Sequence, residues 1–247
     1  MTTSPAVPWT GADPYAAALR AGRGPLFLRR ADGWLLPLDV ERWCARADPV
    51  DRAVLDRCAG AVLDVGCGPG RLVVELAGRG RTVLGIDVSS AAVDHTVRLG
   101  GQALCRSVFD PLPGEGRWGT VLLMDGNVGI GGDPHALLDR VARLLAPGGL
   151  LIAETAEADV DERARVHLTD ARKAVGVPFL WARLGTPALL RYARGWEVEA
   201  RWVAGGRRFV ALRTRHASSR AEPPKSTAVI SSQRAGKPFA DRPVADR

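Results

Sequence analysis

Cysteine is scarce in this chain. The four present in 247 residues are Cys44, Cys58, Cys67 and Cys105. They include no C-x-x-C, and no histidine stands at ligand spacing. That excludes the usual spacing of a zinc site and gives no disulfide framework. Long apolar runs are missing too: none approaches the ~20 residues that span a bilayer. The opening Met-Thr-Thr-Ser-Pro lacks the charged and apolar stretches of a secretory leader. We therefore expect a cytoplasmic address with reduced thiols and no membrane partner. Lysine is rare, so the net charge of +7 comes from arginines scattered between Arg20 and Arg247 without a dense run. Arginine interleaved with alanine and glycine reads as a GC-rich coding bias, and no nucleic-acid partner is expected from charge alone. With 46% hydrophobic and 25% charged residues the chain reads as a globule, long enough for one large α/β domain.

Glycine, by contrast, is concentrated where it carries meaning. Residues 61–70 read Ala-Val-Leu-Asp-Val-Gly-Cys-Gly-Pro-Gly, an apolar run ending in an acid and then a glycine loop. A buried strand feeding such a turn is how α/β proteins seat a nucleotide. Glycine there permits positive φ and lets backbone N–H groups approach a ligand. The spacing of Gly66, Gly68 and Gly70 is G-x-G-x-G; Arg71 follows, so the G-x-G-x-x-G of dinucleotide sites is not met. A second β-branched run, Thr82 to Ile86, closes in Asp87 about twenty residues on. At the tip of a neighbouring parallel strand, a carboxylate can accept hydrogen bonds from both hydroxyls of a ribose. The plainer role for Asp87 is a helix cap, which Ser89 or Ser90 could also fill.

Downstream, the alternation of strand and helix continues. A helix is predicted over Ser90–Leu99, a strand over Ala103–Val108 and another over Thr120–Met124. Asp133-Pro134 starts a helix whose apolar face is Leu137, Leu138, Val141, Leu144 and Leu145. Pro147-Gly148-Gly149 ends it and leads into a strand over Leu150–Glu154. Glu197–Val203 and Arg207–Leu212, joined through Gly205-Gly206, read as a hairpin. Residues 1–55, rich in proline and tryptophan, read as irregular structure and short helices, a cap on the substrate side. Residues 56–215 form the core. Residues 216–247, with four prolines, several serines and few large apolar residues, are expected to be disordered.

Asp64-Val65-Gly66-Cys67-Gly68-Pro69-Gly70 resembles motif I of the class I S-adenosylmethionine-dependent methyltransferases. Arg143-Leu144-Leu145-Ala146-Pro147-Gly148-Gly149 resembles the family's R-x-L-x-P-G-G signature. The resemblance runs from about Ala61 to Thr155. It implies a Rossmann-like, doubly wound α/β sheet of seven strands, mostly parallel, with an antiparallel C-terminal hairpin. It further implies S-adenosylmethionine as cofactor, with Asp64, Gly66, Cys67, Gly68 and Gly70 along its methionine part. Asp87 would hold the ribose, Val88 beside it is a further cofactor-binding residue, and Ser107 and Val108 would border the adenine.

The loop Asp125-Gly126-Asn127-Val128-Gly129 follows the fourth strand and emerges at the carboxyl edge of the sheet. Asp125 and Asn127 are candidates to touch cofactor or acceptor, or else to bond their own backbone. His135 is a candidate base that reads equally as a solvated first-turn residue. No catalytic residue is assigned beyond these three candidates, and no metal is expected. The function expected is methyl transfer to a small-molecule acceptor. Alternatives are an aminopropyl transferase-like enzyme, an RNA methyltransferase and a non-catalytic S-adenosylmethionine-binding protein.

Overall fold

The computed structural model describes residues 14–170 and 178–214. The expected disorder of 216–247 falls outside the described residues. The chain opens with helix α1 (Pro14–Ala21), strands β1 (Phe27–Arg30) and β2 (Leu35–Pro37), and helices α2 (Val40–Cys44) and α3 (Pro49–Leu55). The alternating core follows: β3 (Val62–Val65), α4 (Arg71–Gly78), β4 (Val83–Asp87), α5 (Ser90–Arg98), β5 (Ala103–Cys105), β6 (Trp118–Leu123), α6 (Pro134–Leu144) and β7 (Leu145–Thr155). Then come β8 (Asp161–Thr169), β9 (Phe179–Leu184), α7 (Thr186–Tyr192), β10 (Trp196–Ala204) and β11 (Arg207–Thr214). Among the described residues no helix is long and apolar enough to cross a membrane.

Seven strands form one sheet in the order β10-β11-β7-β6-β3-β4-β5. The five from β7 to β5 run parallel, and β11 and β10 are antiparallel. This is the architecture the sequence predicts. All four residues of β3 are buried, as a central strand covered on both faces requires. One apolar layer, with α6 and α7, holds Leu137, Leu138, Val141, Leu144 and Leu189. The opposite layer, with α3 and α4, holds Val54, Leu55, Leu72, Val73 and Leu76. Strand order reverses between β3 and β6, so their carboxyl ends open the crevice where such sheets bind ligands.

Local signals set several boundaries. Asp133 caps α6 by accepting from the His135 and Ala136 N–H groups at 3.0 and 3.2 Å, with Pro134 at the first position. Gly205 and Gly206, both at positive φ, make the tight turn between β10 and β11. Around Pro147-Gly148-Gly149 the register with β6 steps from Trp118↔Leu145 to Thr120↔Leu150, so the signature forms an irregular stretch within β7, and α6 stops at Leu144.

The structure departs from expectation in the N-terminal region. β1 and β2 occupy sequence read as irregular, and they join β8 and β9 in a second sheet, β2-β1-β8-β9. Phe27 pairs with Thr169 and Arg30 with Val166. These strands are only three and four residues long, and one partner lies far along the chain. No local periodicity reveals such a pairing. Pro37 is tolerated because β2 is an edge strand. The turn at Asn127–Gly129 packs on this sheet: Ile130 bridges to Trp181, and a Cβ on Gly129 would collide with the Ala182 carbonyl.

Candidate functional site

The glycine loop is shaped by backbone. Gly66, Gly68 and Gly70 all have positive φ, and the Gly66 and Cys67 N–H groups donate to the Ile86 carbonyl at 2.8 and 3.0 Å. Helix α5 holds the loop from outside: the buried Thr96 hydroxyl donates to the Gly68 carbonyl at 3.1 Å, and a Cβ on Gly70 would strike Thr96. Cys67 is buried over β4, where Gly85 leaves room for its sulfur, and burial raises its thiol well above the ordinary range. It acts as a small apolar residue. Asp87 binds the loop to the next strand by accepting from Gly68 N–H at 3.0 Å and Ser89 N–H at 2.8 Å.

Asp64, only 2% exposed, projects from the middle of β3, and its Oδ2 is buried with no partner among the described residues. Burial pushes its carboxyl up to about 7, opposed by Arg71 and reinforced by Asp125 and Asp87. The Tyr15 hydroxyl reaches the loop from α1: a Cβ on Gly68 would stand 3.3 Å from it. Burial first, then Asp87, lifts this phenol well above its ordinary range, so it remains a protonated donor.

Beside the loop lies a network of charges. The Arg71 Nε donates to Asp51 at 2.9 Å and its Nη1 to Asp125 at 2.7 Å. Arg207 donates to Asp51 at 2.8 Å and, through Nε and Nη2, to Glu154 at 2.9 and 2.8 Å. Arg42 closes the array on Asp125, whose backbone N–H donates to Glu154 at 2.9 Å. Burial works against a charged Asp51, yet Arg71 and Arg207 bring its carboxyl down to about 2. Burial likewise opposes Asp125, and Arg71 and Arg42 hold it below the usual range. Asp125 has φ of 57°, a left-handed conformation kept by this surrounding array.

The network forms part of the floor of a cleft of about 290 Å³ between the two sheets. Leu28 and Leu36 of the second sheet, Trp43 of α2, Val128, Trp181 and Leu184 supply apolar walls. Asp125 lines this cleft. Asn127 lies just below the loop and donates to the carbonyls of Val65 and Gly66, both at 2.9 Å. His135 is exposed on α6, pairs with Asp139 and lies outside the cleft lining. Val88, after Asp87, is 41% exposed. Ser107 and Val108 stand after β5, where Ser107 N–H donates to Asp110 and the Val108 carbonyl accepts from Arg140 at 2.8 Å.

A family profile described as "Methyltransferase domain" matches residues 39–199. The chain belongs to the methyltransferase domain family. It is 32% identical over 126 residues to a protein named ubiquinone biosynthesis O-methyltransferase from Psychrobacter cryohalolentis, covering 47% of this chain and 49% of that one. It is 33% identical over 119 residues to one of the same name from Dechloromonas aromatica, covering 44% and 50%. The chain thus spans about half the length of these curated relatives. The fold matches a crystal structure of an S-adenosylmethionine-dependent methyltransferase from Bacteroides fragilis, solved with S-adenosylhomocysteine. The TM-score is 0.68 at 22% identity, with 82% of this chain and 95% of that chain covered.

In this methyltransferase domain Asp64 adjoins the glycine loop in sequence, and Asp87 on the neighbouring strand meets the loop at the Gly68 N–H. Sequence reasoning missed Tyr15, Asp51, Arg71, Glu154 and Arg207. Only Arg71, next to the loop, carried a signal of position; the others converge from separate elements. It also missed Phe109, a ring 45% exposed that lies against Gly131.

Proposed function

We propose that this protein transfers the methyl group of S-adenosylmethionine to a small-molecule acceptor held in the cleft between the sheets. The observation that carries this reading is the meeting of the glycine loop, Asp64 and Asp87 at the point where strand order reverses. The S-adenosylhomocysteine in the Bacteroides fragilis structure and the names of the curated relatives support it.

The residues present fit such a cofactor. The lone Asp64 Oδ2 offers an anionic acceptor for the ammonium of its methionine part, along the cradle of Gly66, Cys67, Gly68 and Gly70. Asp87, which accepts from the Gly68 and Ser89 N–H groups at the tip of β4, is the carboxylate at the ribose. Val88, Ser107 and Val108 border the adenine, with Phe109 adding a ring face. The Tyr15 hydroxyl closes the loop from above.

The bound cofactor supplies an already activated methyl group, so the chain's task is alignment. Asp125, ion-paired to three arginines, is a poor base, and Asn127 is tied to backbone carbonyls. Both position the cleft floor, and His135 has no role in the reaction. The 1–55 segment acts on the substrate side through Leu28, Leu36 and Arg42, which face the cleft. A reducing, cytoplasmic setting agrees with the four unpaired cysteines.

Calorimetric titration with S-adenosylmethionine, S-adenosylhomocysteine and NAD in parallel tests the reading. Micromolar binding of the first two and none of NAD is expected. Binding of NAD, or of none of the three, overturns it.

A further inference from the structure

The charge of the cleft carries an inference that rests on the methyltransferase reading and names the kind of acceptor. In a chain of net charge +7, the cleft lining holds four carboxylates, Asp39, Asp125, Glu154 and Glu157, against two arginines, Arg42 and Arg183. Arg42 is committed to Asp39 and Asp125. Arg183 is drawn to Glu162 at 3.6 Å and to the Trp34 ring, 5.6 Å from its centroid. The arginines behind the floor do not restore the balance. Arg71 and Arg207 reach Asp125 and Glu154, but both also serve the buried Asp51, and Arg207 lies 3.7 Å from Asp48. A cleft with a surplus of one sign gathers ligands of the other.

Two further observations point that surplus at an organic cation. Glu157 lines the cleft just past β7, is exposed, and has no hydrogen bond or ion pair among the described residues. The second is aromatic. Trp43 of α2 and Trp181 of β9 both line the cleft, each meeting a neighbouring ring edge-on, Tyr15 at 6.3 Å and Phe179 at 6.1 Å. Arginines lie over the rings of Trp34, Tyr192, Trp202 and Phe209, yet over neither Trp43 nor Trp181 among the described residues. An indole face is the side-chain surface that attracts a cation most strongly. Leucine and valine complete the walls and suit an apolar body.

We infer that the acceptor is an organic ammonium with an apolar body, its charge recognised by Glu157 and by the indole faces of Trp43 and Trp181. Glu157 is then a specificity-determining residue. It meets the ligand's charge without first having to give up a partner.

The test uses full-length protein saturated with S-adenosylhomocysteine and titrated at neutral pH with 2-naphthylmethylamine, the neutral 2-naphthylmethanol and the anionic 2-naphthoate. The ammonium should bind about five- to fifty-fold tighter than the alcohol, the range for a cation–π contact added to an exposed ion pair, and naphthoate should bind most weakly. Glu157→Gln should shrink the preference for ammonium over alcohol by about two- to five-fold. Trp181→Leu, which keeps an apolar wall, should shrink it by about two- to ten-fold. Melting temperature and S-adenosylhomocysteine affinity are read for each variant, and Glu157→Gln should leave both unchanged. Equal binding of ammonium and alcohol by the unaltered protein overturns the inference, as does tighter binding of naphthoate. So does an undiminished preference in Glu157→Gln, or no binding of any probe at millimolar concentration. If Trp181→Leu unfolds, Trp43→Leu takes its place, and an undiminished preference in the folded tryptophan variant overturns the role of the ring faces. Failure of the unaltered protein to bind S-adenosylhomocysteine would instead overturn the methyltransferase reading itself.

Discussion

The loop at residues 64–70, with Asp87, is held in shape by glycine conformations and by hydrogen bonds to backbone groups. The cleft beside it is held by charged side chains that reach in from α2, α3, α4, β7 and β11 and from the loop after β6. The first depends on neighbours in sequence and the second on convergence in space. Their failure modes should differ accordingly. A backbone-built loop loses ligand affinity when one contact is removed, because its shape survives. A buried ion network loses folding stability, because removing one charge leaves its partner uncompensated in a poorly solvated place.

The sharpest way to break that comparison is Arg71→Ala. Arg71 is almost fully buried and joins Asp51 to Asp125, so its loss should cost about 3–5 kcal/mol of unfolding free energy in a denaturant titration. A change under about 1 kcal/mol would mean that Arg207 and Arg42 suffice without it.

Asp64 belongs to the loop side yet is buried like the network. Its folded value of about 7 lies above that of an unfolded aspartate, about 3.9, so the folded state holds the proton more tightly. The stability this contributes is present below about pH 4 and is lost as pH rises through 7. Asp64→Asn should therefore flatten the decline between pH 4 and 7, by about 2–4 kcal/mol at pH 8. An unchanged profile would show that Asp64 is solvated in the folded state.

Asp87→Ala sharpens the loop half of the comparison. Affinity for S-adenosylhomocysteine should fall by about 1.5–3 kcal/mol, the range for charge-assisted hydrogen bonds, with a smaller change in melting temperature. Unchanged affinity would refute the ribose assignment.

Asn127 joins the halves, since it sits after β6 yet bonds under the glycine loop. Asn127→Ala should cost about 0.5–1.5 kcal/mol of stability and leave acceptor selectivity alone. A selectivity change would place Asn127 on the acceptor.

The parallel core and its order of elements were legible because each rests on local rules: buried β-branched runs, Asp133-Pro134 starting a helix, and Gly205-Gly206 turning a hairpin. The second sheet was not, because β1 carries a single buried residue, Leu28, and finds its partner only in β8. Among site residues the same division holds. Asp64 and Asp87 end apolar runs that announce them. Asp51 and Arg207 read as an ordinary helix residue and an ordinary turn-flanking arginine until packing brings them within 2.8 Å.

By itself, then, the sequence determined the sheet, the glycine loop and the acid on the neighbouring strand, because period, glycine spacing and capping act over a few residues. Tertiary structure alone decided the cleft and the charge array on its floor. Those depend on which distant side chains share a desolvated space, and in such a space charges must find partners whatever their separation along the chain.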